Sequence, residues 1–250
     1  MSNLSLLIRI PQDLRDTVTA LHIEPAEMMQ QYFDTFRFYP YFSTRSEQEK
    51  SGILSSVRHG FTEFQQSGNI YVDPILEEIN QRYCELLVKL SNDTKLSPPA
   101  HDQQSILLID SWEKEARPLT NYPQELVLEG DGRLRLSFNF MLCNICFGQK
   151  IKRLVSMYMK RISMVVLYAH AYPGNAFNNK MVMQFFESLV KDQGQAFLPR
   201  TTDQTALIEE YRSKLVDLFE EMTGVKNYQK RVKVFRPLIK EWTAKMEEIN

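Results

Sequence analysis

Two runs of lysine and arginine carry the strongest chemical signal in the chain. Lys150, Lys152, Arg153, Lys160 and Arg161 follow one another with no acidic residue between them. Further on, Lys226, Lys230, Arg231, Lys233, Arg236, Lys240 and Lys245 are opposed only by Glu241, and Tyr228, Phe235 and Trp242 are interleaved with them. The chemistry open to such clusters is electrostatic. Cationic side chains neutralise phosphates and release condensed counterions, which supplies most sequence-independent affinity for nucleic acid. The formal net charge is −1, so no global field recruits a polyanion and any such binding rests on these local patches. The competing account is pairing with the acidic stretch Glu209, Glu210, Asp217, Glu220 and Glu221, or a solvated face. The candidate phosphate contacts are Lys150, Lys152, Arg153, Lys226, Lys230, Arg231, Lys233 and Arg236.

Other chemistry has less to build on. Cys143-Asn144-Ile145-Cys146 is a lone CxxC without the Gly-Pro and flanking Trp of thiol oxidoreductases, and without a second pair for zinc. Cys84 and His170 stand isolated, and both cysteines of the pair are expected to pack as small hydrophobes. The four histidines (His22, His59, His101 and His170) stand apart from one another at no ligand spacing, and no phosphate-binding or nucleophile-elbow motif occurs. Asp110, Glu113 and Glu115 surround Trp112 and are the one conceivable carboxylate site. No cofactor and no metal are expected. An enzyme with an unrecognised site is the third-ranked reading.

The elements that must position these residues are mostly helices. Gly (9) and Pro (11) are scarce in 250 residues, which favours long regular segments. Helical spacing runs from Gln12 to Leu21, from Pro25 to Phe36, from Ser46 to Gln66 (ended by Ser67-Gly68-Asn69) and from Asp73-Pro74 to Leu90. Residues 92–105, rich in Pro, Asn and Asp, predict a linker between a helical domain over 1–91 and a second domain over 106–250. Leu126-Val127-Leu128, Glu129-Gly130-Asp131-Gly132 and the alternating run Arg133 to Phe140 predict a β-hairpin over 126–140, its apolar face covered by helices. Ile106 to Ile109 fits strand or helix. Helices are then expected over 149–171, 178–191, 203–222 and 228–249. The fold class is therefore mainly α: a small helical N-terminal domain plus an α+β C-terminal domain.

The segment Ser5-Leu6-Leu7-Ile8-Arg9-Ile10-Pro11-Gln12-Asp13-Leu14 resembles the start of a ribbon-helix-helix DNA-binding domain over residues 4 to about 38. The resemblance implies a strand that pairs with a second chain, with Leu6, Ile8 and Ile10 inside and Ser5, Leu7 and Arg9 toward base edges in the major groove. Leu7 stands where that family usually has a polar reader. The link Leu21-His22-Ile23-Glu24-Pro25 lacks the Gly and Ser by which the family caps its second helix on a phosphate. An edge strand packed within the chain is the ordinary alternative.

A second kind of partner is suggested by Tyr32, Phe33, Phe36, Phe38, Tyr39, Tyr41 and Phe42, more aromatic surface than one helix face can bury. Tyr32, Phe36, Phe38, Tyr39, Tyr41 and Phe42 would anchor a protein partner or self-association. The longest apolar run, Ile162 to Tyr172, falls short of the about 20 residues that span a bilayer. No membrane contact is expected, and an odd number of cysteines in a chain of this size predicts a reducing, cytoplasmic setting. The leading expectation is a non-catalytic DNA-binding regulatory or accessory protein acting on duplex DNA. A helical adaptor is the second.

Overall fold

The computed structural model describes residues 7–64, 73–130, 132–148, 150–172 and 200–250. Its helices are α1 (Gln12–Ala20), α2 (Pro25–Asp34), α3 (Phe38–Ser43), α4 (Glu47–Gly60), α5 (Pro74–Ser91), α6 (Pro98–Ala116), α7 (Phe138–Cys146), α8 (Ile151–Arg161), α9 (Met164–His170), α10 (Thr202–Glu221) and α11 (Tyr228–Glu248), and strands β1 (Glu125–Val127) and β2 (Arg133–Arg135) form a two-stranded sheet. The protein is mainly α with one β-hairpin. Among the described residues no helix is long and apolar enough to cross a membrane. The helix expected over 178–191, the Ser67-Gly68-Asn69 stop and the first residues of the N-terminal strand lie outside the described residues.

Local chemistry explains most helix starts. Ser46 accepts from the Glu49 amide while the Glu49 carboxylate accepts from the Ser46 amide, a reciprocal cap that satisfies two donors the helix leaves free. Asp73 accepts from Ile75 N–H with Pro74 in the first turn, and Ser137, Ser163, Thr201 and Asn227 each accept from an amide three residues on.

The hairpin is shorter than the alternating pattern implies. Strand pairing stops at Arg135, and Ser137 turns the chain into α7, so Phe138 and Phe140 are helical. Leu134, Leu136, Phe138 and Phe140 are all buried. The alternation therefore records burial correctly but not the change of backbone. Gly130 adopts φ +85° in the turn, a conformation a side chain disfavours. The helix expected over 149–171 is broken at Ile162-Ser163 into α8 and α9.

The chain forms two units, neither of them a continuous segment: residues 1–32, 127–134 and 152–250 make the first, and residues 33–126 and 135–151 the second. The expected linker at 92–105 lies wholly within the second unit. Pro98 and Pro99 occupy the first turn of α6, where a missing N–H costs nothing, and His101 to Gln104 are polar because they sit on its outer turns.

In the first unit α11 packs on α1, α9 and α10. Its buried Phe235, Ile239, Trp242 and Met246 meet a core that includes Leu14 and Val18 of α1, Val165 of α9 and Tyr211 and Leu215 of α10. Polar ties fix the register: Arg236 forks onto Asp13 at 2.9 and 2.8 Å, and Thr243 donates to the Asp16 carbonyl at 2.8 Å. Ile8, fully buried, pairs in parallel with Leu128 of its own chain, donating to Val127 O at 3.0 Å and accepting from Glu129 N–H at 2.9 Å.

The second unit is built on aromatic rings. Trp112 is buried, lies parallel to Tyr83 at 5.8 Å and donates to Asn80 Oδ1 at 2.9 Å. Phe38, Phe42, Phe61, Tyr122 and Phe138 belong to the same core. Gly60 is required by close approach, because a Cβ there would fall 2.1 Å from Ile145 Cγ2.

Candidate nucleic-acid interface

α11 begins at the Asn227 cap with Lys226 just before it and Lys230 in its first turn, and no acidic residue in that turn. A helix N-terminus already carries a partial positive charge from its aligned peptide dipoles, and acids there would ordinarily neutralise it. Here lysines add to it. The side turned away from the core presents Lys230, Lys233, Pro237, Lys240 and Ala244, all exposed. At about 100° per residue these positions fall within an arc of roughly 80° and extend about 21 Å along the axis. Acidic Glu241 lies about 20° beyond the Lys230 edge of that arc, its carboxylate accepting from Tyr211 OH at 2.5 Å and 4.0 Å from Lys245, and exposed Glu248 follows on the Lys230 phase one turn past Ala244.

The acidic helix does not neutralise this face. Glu209 pairs with Arg212 and Glu210 with Lys214, both within α10. Among the described residues Lys226, Lys230, Lys233 and Lys240 form no ion pair.

Two of the expected contacts are engaged inside the protein instead. Arg231 is fully buried, and its guanidinium donates to Tyr168 O (2.8 and 3.2 Å), Ala171 O (3.2 Å) and Met222 O. These carbonyls end α9 and α10, so Arg231 serves as the C-terminal cation of two helices, and burial lowers its pKa. Arg236 is held by Asp13. Helix phase separates these two from the lysines: counting from Lys230, Arg231 is turned by about 100° and Arg236 by about 120° the other way. Phe235 and Trp242 are buried and Tyr228 is half-buried, its ring stacked on His170 at 4.2 Å.

The remaining expected contacts are scattered along the chain. Lys150, Lys152, Arg153 and Lys160 are exposed, the last three on the polar side of α8. Arg9 is exposed between buried Ile8 and Ile10, and Ser5 lies outside the described residues.

The aromatic stretch is not the exposed surface that partner binding needs. Tyr32, Phe38, Tyr39 and Phe42 are buried, Phe36 packs edge-on to Phe140 at 5.4 Å, and Tyr41 is half-buried beside Phe147 and Arg45. The seven rings are absorbed because the cores draw helices from distant parts of the chain, not one short helix face.

Neither the cysteines nor the acids near Trp112 assemble a reactive site. Cys84, Cys143 and Cys146 are free thiols, and burial pushes each up to about 12, away from the thiolate that redox or zinc chemistry uses. Cys146 also ends α7, where the helix dipole disfavours an anion. Among the described residues no cluster of three His, Cys, Asp or Glu side chains is placed to hold a metal. Glu113 accepts from Arg117 and Tyr122, and Glu115 from Arg82 and Tyr83; these bonds hold the Glu115 carboxyl below its ordinary range.

One arrangement has no sequence signal. Tyr39 OH lies 2.8 Å from His101 Nδ1, and His101 Nε2 lies 2.9 Å from the Asp93 carbonyl. A carbonyl only accepts, so Nε2 carries the proton and Nδ1 accepts from the tyrosine. The pair borders a cavity of about 380 Å³ with Ser43, Ser91 and Asp102. Tyr39 and His101 are 62 positions apart, so only the fold brings them together.

His170 carries a pH dependence. Burial, then the positive charge of Arg161, lowers its pKa below 6.5, so the unfolded chain takes up the proton first. Its contribution to stability is complete above about pH 6.5 and drains away as the pH falls through the folded value. In urea titrations at pH 7.5 and 5.5, His170→Gln is expected to lose less midpoint than the parent. An equal loss in both would remove His170 from the acid response.

No protein-family model, curated protein or solved structure matches the chain.

Proposed function

We propose that the protein is a non-catalytic DNA-binding accessory protein that holds duplex DNA by its phosphates through the lysine face of α11. One observation carries the reading: Lys226, just before α11, and Lys230, Lys233 and Lys240 along it are exposed, with no ion-pair partner among the described residues. Crowding like charge at a helix N-terminus costs roughly 0.3–1 kcal/mol per group. A bound polyanion turns that cost into affinity. Support also comes from the rigidity of the mount, since the Arg236–Asp13 fork and the Thr243 bond fix α11 on α1. The proposal draws on α11 and not on the ribbon-helix-helix resemblance.

Phosphate contact by four lysines predicts that log affinity for a short duplex falls against log salt with a slope of roughly −3.6. The double variant Lys230→Ala/Lys233→Ala is expected to reduce that slope by about two, with its thermal midpoint unchanged because both side chains are exposed and form no ion pair among the described residues. A slope indifferent to these substitutions, or no retention on duplex DNA at low salt, rules the reading out.

A further inference from the structure

The cations on α11 are unevenly spaced, and the spacing bears on what kind of nucleic acid they fit. Lys226, Lys230 and Lys233 form a group at the N-terminal end, and Lys240 follows after a gap of seven residues, roughly 10 Å along the axis. Such a gap lies between the widths of the two grooves of B-DNA, about 6 and 12 Å. Pro237 occupies the middle of it. A proline has no N–H, so the Lys233 carbonyl loses its helical donor there and presents a bare acceptor. That acceptor would repel a phosphate placed against it. A single strand lying along the helix would put phosphates over the gap, whereas a duplex groove opening toward the helix would not.

The side chains that could read bases are missing from the same face. Single-stranded nucleic acid is held by stacking bases on aromatic rings as well as by charge. Phe235 and Trp242 are buried, and the ring of Tyr228 is stacked against His170. From Lys230 to Ala244 the outward arc offers only lysine, proline and alanine, and Gln229 stands about 20° beyond its edge, so no Asn, Gln or Arg on the arc itself forks onto a base edge.

Resting on the DNA-binding reading above, we infer that α11 lies across a groove of the double helix, with Lys226, Lys230 and Lys233 on one phosphate ridge and Lys240 on the other. The interface then selects duplex over single strand and is blind to base sequence. Lys240 is the residue that confers the selection, because it alone reaches the second ridge.

Fluorescence anisotropy with the full chain tests this. The probes are two 20-bp DNA duplexes of unrelated sequence and their separate strands, measured at 50 and 200 mM salt. The parent is expected to bind both duplexes within about threefold of each other and at least about tenfold more tightly than any single strand. Lys240→Ala is expected to erase most of that preference, leaving duplex and strand within about threefold. Lys230→Ala is expected to weaken both and preserve their ratio. The inference is overturned if strand and duplex bind alike, if the two duplexes differ more than about tenfold, or if Lys240→Ala leaves the preference intact. Binding with any of those results retains the DNA-binding reading. Absence of all binding at 50 mM salt removes that reading, and this inference with it.

Discussion

Arg231→Ala is expected to destabilise the protein by about 3–5 kcal/mol, since several buried carbonyls lose a charged donor at roughly 1–3 kcal/mol each and the packing of the side chain goes with it. The guanidinium is completely buried with no carboxylate among its bonded partners, so its desolvation is offset by carbonyl dipoles and by the rings it lies over. Removing it leaves the carbonyls of Tyr168, Ala171 and Met222 without their donor and opens the space between the rings of Tyr172, Phe219 and Phe235, all within 6 Å of it. Arg231→Met keeps much of the packing and loses the bonds, so it separates the two contributions. Arg231→Lys keeps the charge but lacks the planar fork that serves several carbonyls at once, and is expected to fall between parent and alanine. Urea denaturation read by Trp242 fluorescence checks the series. A loss below about 1 kcal/mol for Arg231→Ala would show that solvent replaces the guanidinium, and the double-helix cap would have to be abandoned. The same series guards the DNA experiments, because Arg231 variants that lose DNA binding do so through stability and not through phosphate contact.

Fragments cut at the polar stretch around residues 92–105 are expected not to fold. The segment 1–91 carries α1 but not α11, leaving buried Leu14 and Val18 exposed. It also carries α5 without α6, and so loses the Tyr83–Trp112 stack and the Trp112–Asn80 bond. The segment 106–250 keeps Trp112 beside Phe138 and Trp242 beside Tyr211, but it loses Tyr83, Phe61 and Asn80 from around the first and the whole of α1 from the core of the second. Separately expressed, each is expected to lack a cooperative thermal transition, and in 106–250 both tryptophans are expected to emit as solvated indoles. A sharp transition from either fragment would contradict the discontinuous units described above. Losing a whole face of a core removes far more than the 5–15 kcal/mol by which domains are stable.

How much of this was legible depended on whether a signal was local. The caps at Ser46 and Asp73, the glycine turn at Gly130 and the helical stripes of α4, α5, α10 and α11 are written within a few residues of where they act. Ser137 misled because a serine between apolar neighbours suits the polar phase of a strand and the cap of a helix equally well. Pro98 and Pro99 misled because prolines that begin a helix and prolines that interrupt a linker look alike until the partner helix is known. Whether the aromatic run from Phe36 to Phe42 faced water or a core depended on Trp112 and Phe138, which no window around it contains. In the candidate site, the division between the outward lysines, the inward Arg231 and Arg236 at the flank follows from helix phase and could be read directly. The bonds that occupy Arg231 and Arg236 could not, because their partners lie as far as 223 positions away.

That distance also governs the order in which the protein can be made. Asp13 and Asp16 sit on a helix whose neighbour, α11, is translated more than 200 residues later. At about 5–20 residues per second, α1 waits roughly 10–45 s on the ribosome before its binding face can be covered. During that interval Leu14 and Val18 are open to other nascent chains. A need for chaperone cover early in synthesis, relieved once α11 has emerged, is the expected consequence of the α1–α11 pairing.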